Sequence, residues 1–151
     1  MATDNELANT SRTGVLRLEV VTPDGPAVRT EADQVEAPSV DGEFGVLPGH
    51  LPLLAALRAG VVRYRAAGKS FTLAVGPGFA EVGPLAMSIL TDRCVDAKDI
   101  DTDKVRGALE GALRQLDAVA GGHESTERLD AQRAVDWLQA QLDAAREAGR
   151  S

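Results

Sequence analysis

The chain has 151 residues, with 16 lysines and arginines against 23 acids, a formal charge of −7. That shortage of base argues against nucleic acid or an anionic lipid surface as the main partner, since both require a basic field. Hydrophobic residues make up an ordinary 44%, but aromatics only 3%, so the core must be assembled from Val, Leu, Ile and Ala.

Residues 1–14 are polar, carry Asp4 and Glu6 and contain no hydrophobic segment, which reads as a disordered tail rather than a secretory signal. From Val15 to Val21 the pattern alternates, with Leu16, Leu18 and Val20 on one face, as in a half-buried strand. The TPDGP run from Thr22 to Pro26 ends it. Short strands are expected at Ala27 to Thr30 and at Gln34 to Ala37. Val61 to Arg65 and Ser70 to Val75 form an expected hairpin around Ala66, Ala67, Gly68 and Lys69. Phe79 to Val82 and Leu85 to Thr91 form another around Gly83 and Pro84. Many short strands separated by turn residues predict a β-sandwich or barrel over residues 15–95.

Between these strands lies Asp41 to Leu57, DGEFGVLPGHLPLLAAL, expected as a stiff, presented loop. Gly42 and Gly45 permit positive φ around Glu43 and Phe44. Pro48 and Pro52 fix φ. The alternative is a tight connection between strands, which the same turn residues would serve.

Beyond Cys94 glycine and proline thin out, and residues 96–151 read as a helical hairpin. Val105, Leu109, Ala112, Leu116 and Val119 form one amphipathic stripe; Ala131, Val135, Leu138, Leu142 and Ala145 form a second. Asp101 or Thr102 caps the first helix, Gly121 and Gly122 stop it, and the second starts near Ser125 or Thr126. The short connection makes the helices antiparallel neighbours. Two alanine-rich stripes alone do not offset the entropy of ordering the segment, so the pair needs a third surface, either the sheet or another protein. A hairpin able to choose between them would act as a switch; a permanently docked hairpin is the other reading.

A search for chemistry finds little. His50 and His123 have no metal-ligand spacing, and His123 is read as solvated within its glycine-rich connection. Cys94 is the single cysteine, so no intrachain disulfide or CxxC motif exists. GxSxG, GxGxxG and the P-loop are missing, and Gly76-Pro77-Gly78 reads as a strand connection. No apolar run is long enough for a transmembrane helix. The residues therefore point to no enzyme, no metal and no cofactor.

Three segments carry a resemblance: DGEFGVLPGHLPLLAALRAGVVR at Asp41–Arg63, VGPGFAEVGPLAMSILTDRCV at Val75–Val95, and the hairpin beginning DIDTDKVRGAL at Asp99. Over Val15 to Ala148 the chain resembles the epsilon subunit of F-type ATP synthase, the delta subunit of mitochondria. The resemblance implies an N-terminal ten-stranded β-sandwich followed by a C-terminal antiparallel two-helix hairpin. It also implies a non-catalytic rotor subunit on the cytoplasmic face of the inner membrane, joining the gamma subunit to the ring of c subunits. Neither nucleic-acid binding nor direct lipid insertion is expected.

Carried over by residue, Glu43, Phe44 and His50 are the implied c-ring contacts, with a basic partner expected for Glu43. For His50 a bond within its own turn is an equal alternative. Arg106, Arg114, Arg128, Arg133 and Arg146 are the implied contacts of an extended hairpin with acidic loops of the alpha/beta catalytic head. Residues 96–151 hold twelve acids and eight bases, a net of −4, so such attraction must be local. Some bacterial relatives bind ATP through an I/L-D-x-x-R-A motif. Here Ile100, Asp101 and Lys104 form a degenerate version, with Val105 in place of alanine. Lysine lacks the bidentate guanidinium and Asp103 adds negative charge, so ATP binding is expected to be weak or absent. A freestanding nucleotide-responsive regulatory module is the alternative, and a β-barrel hydrolase the third reading.

Overall fold

The computed structural model describes residues 14–119 and 125–149. The expected tail, apart from Gly14, lies outside the described residues, as do Gly121, Gly122 and His123. Ten strands come first: β1 Leu16–Thr22, β2 Gly25–Ala32, β3 Gln34–Ser39, β4 Gly42–Val46, β5 Leu53–Leu57, β6 Gly60–Ala66, β7 Lys69–Val75, β8 Gly78–Val82, β9 Ala86–Thr91 and β10 Cys94–Asp96. A 3₁₀ turn at Ala97–Asp99 leads into helices α1 Thr102–Ala118 and α2 Thr126–Ala148.

The strands run in the order β10-β7-β6-β3-β5-β8-β9-β1-β2, with β4 added to β3. Pairing is antiparallel except between β1 and β9. A single residue pair, Ser39 with Leu57, links β3 to β5, and there the sheet turns a corner. Its two halves close face to face, because inward side chains of both, among them Leu16, Leu18 and Ile89 from one and Val35, Val62 and Leu73 from the other, share one buried cluster. The period-2 alternation of β1 does put Leu16, Leu18 and Val20 inside, each almost wholly buried. Tyr64 and Phe71, directly opposite across β6 and β7, stack with ring centroids 4.9 Å apart.

The structure corrects the expected loop. Asp41 to Leu57 holds β4 and β5, and only the short connection between them is a turn. Gly42 does take positive φ, +127°, but Gly45 sits in extended β4 opposite Glu36. The required glycine is Gly49: Leu47-Pro48-Gly49-His50 forms a turn with Gly49 at φ +87° and the His50 N–H donating to the Leu47 carbonyl at 3.1 Å. Proline followed by a positive-φ residue is the type II arrangement. The residue pattern gives no strand at Cys94–Asp96, where β10 forms, because three residues are too few for periodicity to register; the count of ten is the one that the resemblance implies.

α1 follows its expected stripe; of the α2 stripe only Leu142 is buried, and Ala140 and Ala144, outside it, are the deepest residues of that helix. Val105 and Ala112 of α1 are buried, with Leu109, Leu116 and Val119 half-buried. Asp101 is the cap of α1, its carboxylate accepting from the Lys104 N–H at 3.2 Å, and the Ser125 hydroxyl caps α2 from the Arg128 N–H at 3.2 Å. α1 packs on α2, and α2 packs in turn on β6 and β7. The third surface is therefore the sheet. Ala144 is fully buried against Val61 and Ala74 from the outer faces of β6 and β7, with Ala97 beside them and Ile100, Trp137 and Ala148 completing the patch.

Candidate functional site

Two parts of the surface gather the residues to which function was assigned. The first is built on β4. Alternation along this strand separates neighbours: Glu43 points outward and is about half exposed, whereas Phe44 packs against the sandwich core. Glu43 faces Arg63, which β6 presents on its outer face; its Oε1 lies 3.4 Å from Arg63 Nη1 and 3.5 Å from Nη2. Glu36 of β3 accepts from the same guanidinium at 3.2 Å. Glu147, in the last turn of α2, accepts from both Nε and Nη2, a forked ion pair. The hydrogen bond to Glu147 is the main reason the guanidinium holds its proton even more firmly than usual. Arg63 thus joins three carboxylates from three elements. A charge flanked by Val61, Val62 and Tyr64 in a strand pattern is the sequence signal that singles it out.

His50 belongs to a different corner. Its ring Nδ1–H donates to the Leu51 carbonyl at 2.5 Å, so the side chain bonds its own turn. The Gly49 N–H donates to the Pro84 carbonyl at 2.8 Å, tying that turn to the β8–β9 connection. Around it Leu47, Leu51 and Leu85 are exposed.

From this corner an apolar face extends over the outer side of the β5-β8-β9 layer. Leu54, Phe79 and Leu90 are 72%, 56% and 53% exposed. Ala56, Phe79 and Leu90 lie in cross-strand register, so this row is apolar across three strands, while the next row sets Leu54 beside Glu81 and Ser88. A contiguous exposed apolar patch on a folded domain marks an interaction surface. It lies on the opposite outer face from the hairpin.

The residues of the degenerate nucleotide motif have structural duties. Ile100 packs into the hairpin–sheet cluster, and the Asp101 carboxylate is engaged as the helix cap. Lys104 is exposed. Of the hairpin arginines, Arg106 pairs with Asp103 at 3.6 Å and Arg133 with Asp130 at 3.8 Å, both exposed pairs of little energetic weight. Arg114 and Arg146 are exposed and Arg128 is half-buried at the start of α2.

Among the described residues the one cysteine is not an activated nucleophile. Burial, aided by Asp96, pushes the Cys94 thiol up to about 11, which keeps it protonated and unreactive at neutral pH. Among the described residues no three His, Cys, Asp or Glu side chains converge as metal ligands, and no helix is long and apolar enough to cross a membrane.

Residues 15–97 match the family of the ATP synthase delta/epsilon chain, beta-sandwich domain. The ATP synthase epsilon chain of Nitratidesulfovibrio vulgaris is 40% identical over 127 residues, covering 84% of this chain and 90% of that one. The epsilon chain of a Synechococcus strain is 35% identical over 131 residues, covering 87% and 96%. In fold the chain is similar to one in the Euglena gracilis mitochondrial ATP synthase OSCP/F1/c-ring structure, with a TM-score of 0.74 at 21% identity, covering 95% of this chain and 86% of that one. The sandwich and hairpin and the long matches to epsilon chains agree: this chain belongs to the ATP synthase delta/epsilon family, as a non-catalytic epsilon subunit of an F-type ATP synthase.

Proposed function

We propose that this subunit is the part of the rotor that joins the gamma subunit to the c ring, at the cytoplasmic face of the membrane, and that its hairpin restrains ATP hydrolysis. The observation that carries the proposal is the bare apolar face of Leu54, Phe79 and Leu90, which suits a large, permanent protein partner such as gamma. On another side of the sandwich, Glu43 offers a carboxylate at the end of a short strand whose backbone is fixed on β3, suited to basic loops of the ring. Fixed elements lose little entropy on docking, and torque passes through them without slip. Glu43 and the exposed part of His50 are the ring-facing groups, while Phe44 supports them from behind. Arg114, Arg128, Arg133 and Arg146 meet the alpha/beta head once the hairpin leaves the sheet. ATP binds the isolated subunit weakly or not at all, because Asp101 is already used as a cap and Lys104 supplies a point charge rather than a fork.

The alternative of a freestanding nucleotide-responsive module is not favoured, since the matches run over 90% of an epsilon chain's length. The test uses membranes carrying the assembled enzyme. Glu43→Lys should weaken coupling of proton flow to ATP synthesis, and removing Gly121 to Ser151 should raise hydrolysis. Unchanged coupling refutes the ring contact, and unchanged hydrolysis refutes the restraint.

A further inference from the structure

We infer that Arg63 is a latch that holds the hairpin on the sandwich, and that the latch is set by what occupies Glu43. The apolar part of the interface is thin. Ala74, Ala97, Ala144 and Ala148 dominate it, with Val61, Ile100 and Trp137 as the larger side chains. Small side chains remove little area from water, so a directional contact has unusual leverage over whether the hairpin stays down. The forked Arg63–Glu147 pair is the stronger such contact, about 30% exposed on both sides and geometrically specific, beside the Arg93 guanidinium over the Trp137 ring.

The position of Glu147 adds to the argument. It sits in the last turn of α2, where the helix dipole disfavours an acid and would favour a base. Docked, that acid is compensated by Arg63. Undocked, it loses Arg63 and keeps only Arg146, its exposed neighbour in the same turn, to offset it.

Arg63 also belongs to Glu36 and Glu43, at 3.2 and 3.4 Å. One cation among three carboxylates leaves a local charge of −2. Asp143, Arg146 and Arg58 line the same hollow as Glu43 and Glu147 and adjust its field from α2 and the β5–β6 connection. When the hairpin lifts, Arg63 keeps Glu36 and Glu43, so these acids favour the undocked state by competing with Glu147 and repelling it. A cation brought to Glu43 by a partner ends the competition and tightens the latch. Linkage is reciprocal: a lifted hairpin releases Arg63 to Glu43 and weakens the hold of Glu43 on that partner by the same factor. The latch stands on the ion pairs alone, whereas its link to a basic partner rests on the proposed ring contact.

The experiment measures amide hydrogen exchange along α2 in the isolated full-length chain at low salt, with β1 amides as the control for the sandwich. Protection over Ala140 to Ala148 reports opening of the hairpin. Glu147→Gln should lower it about tenfold, from the loss of a charge-assisted fork. Arg63→Lys, which keeps the charge but not the fork, should lower it by less. Glu43→Gln should raise it roughly two- to threefold, a modest effect because the acid is half exposed and screened. Unchanged α2 protection in Glu147→Gln overturns the latch. Unchanged or lower protection in Glu43→Gln overturns the competition. The ring contact itself is read separately, by coupling in membranes.

Discussion

The two outer faces of the sandwich have similar alternation and opposite fates. On the β6–β7 side Val61 and Ala74 are covered by α2. On the β5-β8-β9 side Leu54, Phe79 and Leu90 face solvent. The covered face is lined with small residues, while the bare face carries the large ones. Size sets strength: an alanine-rich contact suits a segment that must come away, and large apolar side chains suit a partner that stays.

The bare face offers the largest test. Phe79→Asp should leave the isolated subunit folded, with at most about 1 kcal/mol lost, because the ring is more than half exposed. Binding to gamma should fall by about 2–4 kcal/mol, the usual loss at the centre of a protein interface. Titration of gamma with the variant reads this directly, and unchanged affinity would remove the bare face from the stalk contact.

The covered face responds differently. Ala144 is fully buried beneath the hairpin, and a glutamate there has no partner to meet. Ala144→Glu escapes by lifting α2, so its cost cannot exceed the docking energy, on the order of 2 kcal/mol for so thin an interface. Trp137, packed in the patch with the Arg93 guanidinium 5.3 Å from its ring centre, should then show red-shifted emission and easier quenching. Sandwich unfolding should not move. A lowered sandwich midpoint would mean that sheet and hairpin unfold as one unit.

Alternation and turn residues made most of this legible. β1 and the strands from β6 to β9 were readable because one face is apolar and their ends carry Gly, Pro or Asp. Side-chain chemistry narrows the helix starts to Asp101 or Thr102 and to Ser125 or Thr126, and the hydrogen bonds select Asp101 and Ser125. Other features depend on distance in space. Asp41 to Leu57 read as a loop because its glycines look like turn formers, yet Gly45 is extended when β3 is there to pair with. Glu43 and Phe44 are neighbours in sequence, and the pleat sends one outward and the other against the core. Arg63 meets Glu147 across 84 residues, which no local pattern encodes.

Cys94 asks whether β10 belongs to the sandwich. It packs against the sandwich core, and burial raises its thiol to about 11 from an ordinary 9.0. A raised acid pKa means the folded state holds the proton while the unfolded state loses it. Stability is therefore unaffected below pH 9 and falls as pH rises from 9 towards 11. After allowance for partial exposure the loss is on the order of 1 kcal/mol. Denaturant midpoints at pH 8 and pH 10.5 should differ more for the natural chain than for Cys94→Ala. Tyr64 is raised mainly by its own burial, then by Asp96 and Cys94, so the part of its shift that Cys94 contributes goes with the thiol and adds to the difference. If β10 moves with the sandwich, Ala144→Glu keeps this pH dependence; its loss would assign β10 to the hairpin.

The smallest effect concerns the β6–β7 turn, at the edge of the covered layer. Ala66 pairs with Lys69, and the two residues between them, Ala67 and Gly68, have φ of 52° and 78°. Positive φ at both central positions is the type I′ geometry that suits a twisted hairpin, and it favours Asn-Gly or Gly-Gly over Ala-Gly. A Cβ in this region costs roughly 1–2 kcal/mol. Ala67→Gly removes that strain but gives the unfolded chain more freedom, worth about 0.4–1 kcal/mol in the other direction. The net expectation is stabilisation of the sandwich by about 0.5–1 kcal/mol, read as a higher denaturant midpoint. Because the turn lies in the sheet and the latch at Arg63 is untouched, exchange along α2 should stay as it was. A matching rise in α2 protection would show that the hairpin opens only when the sheet beneath it does, and the two faces would then differ in cover but not in mobility.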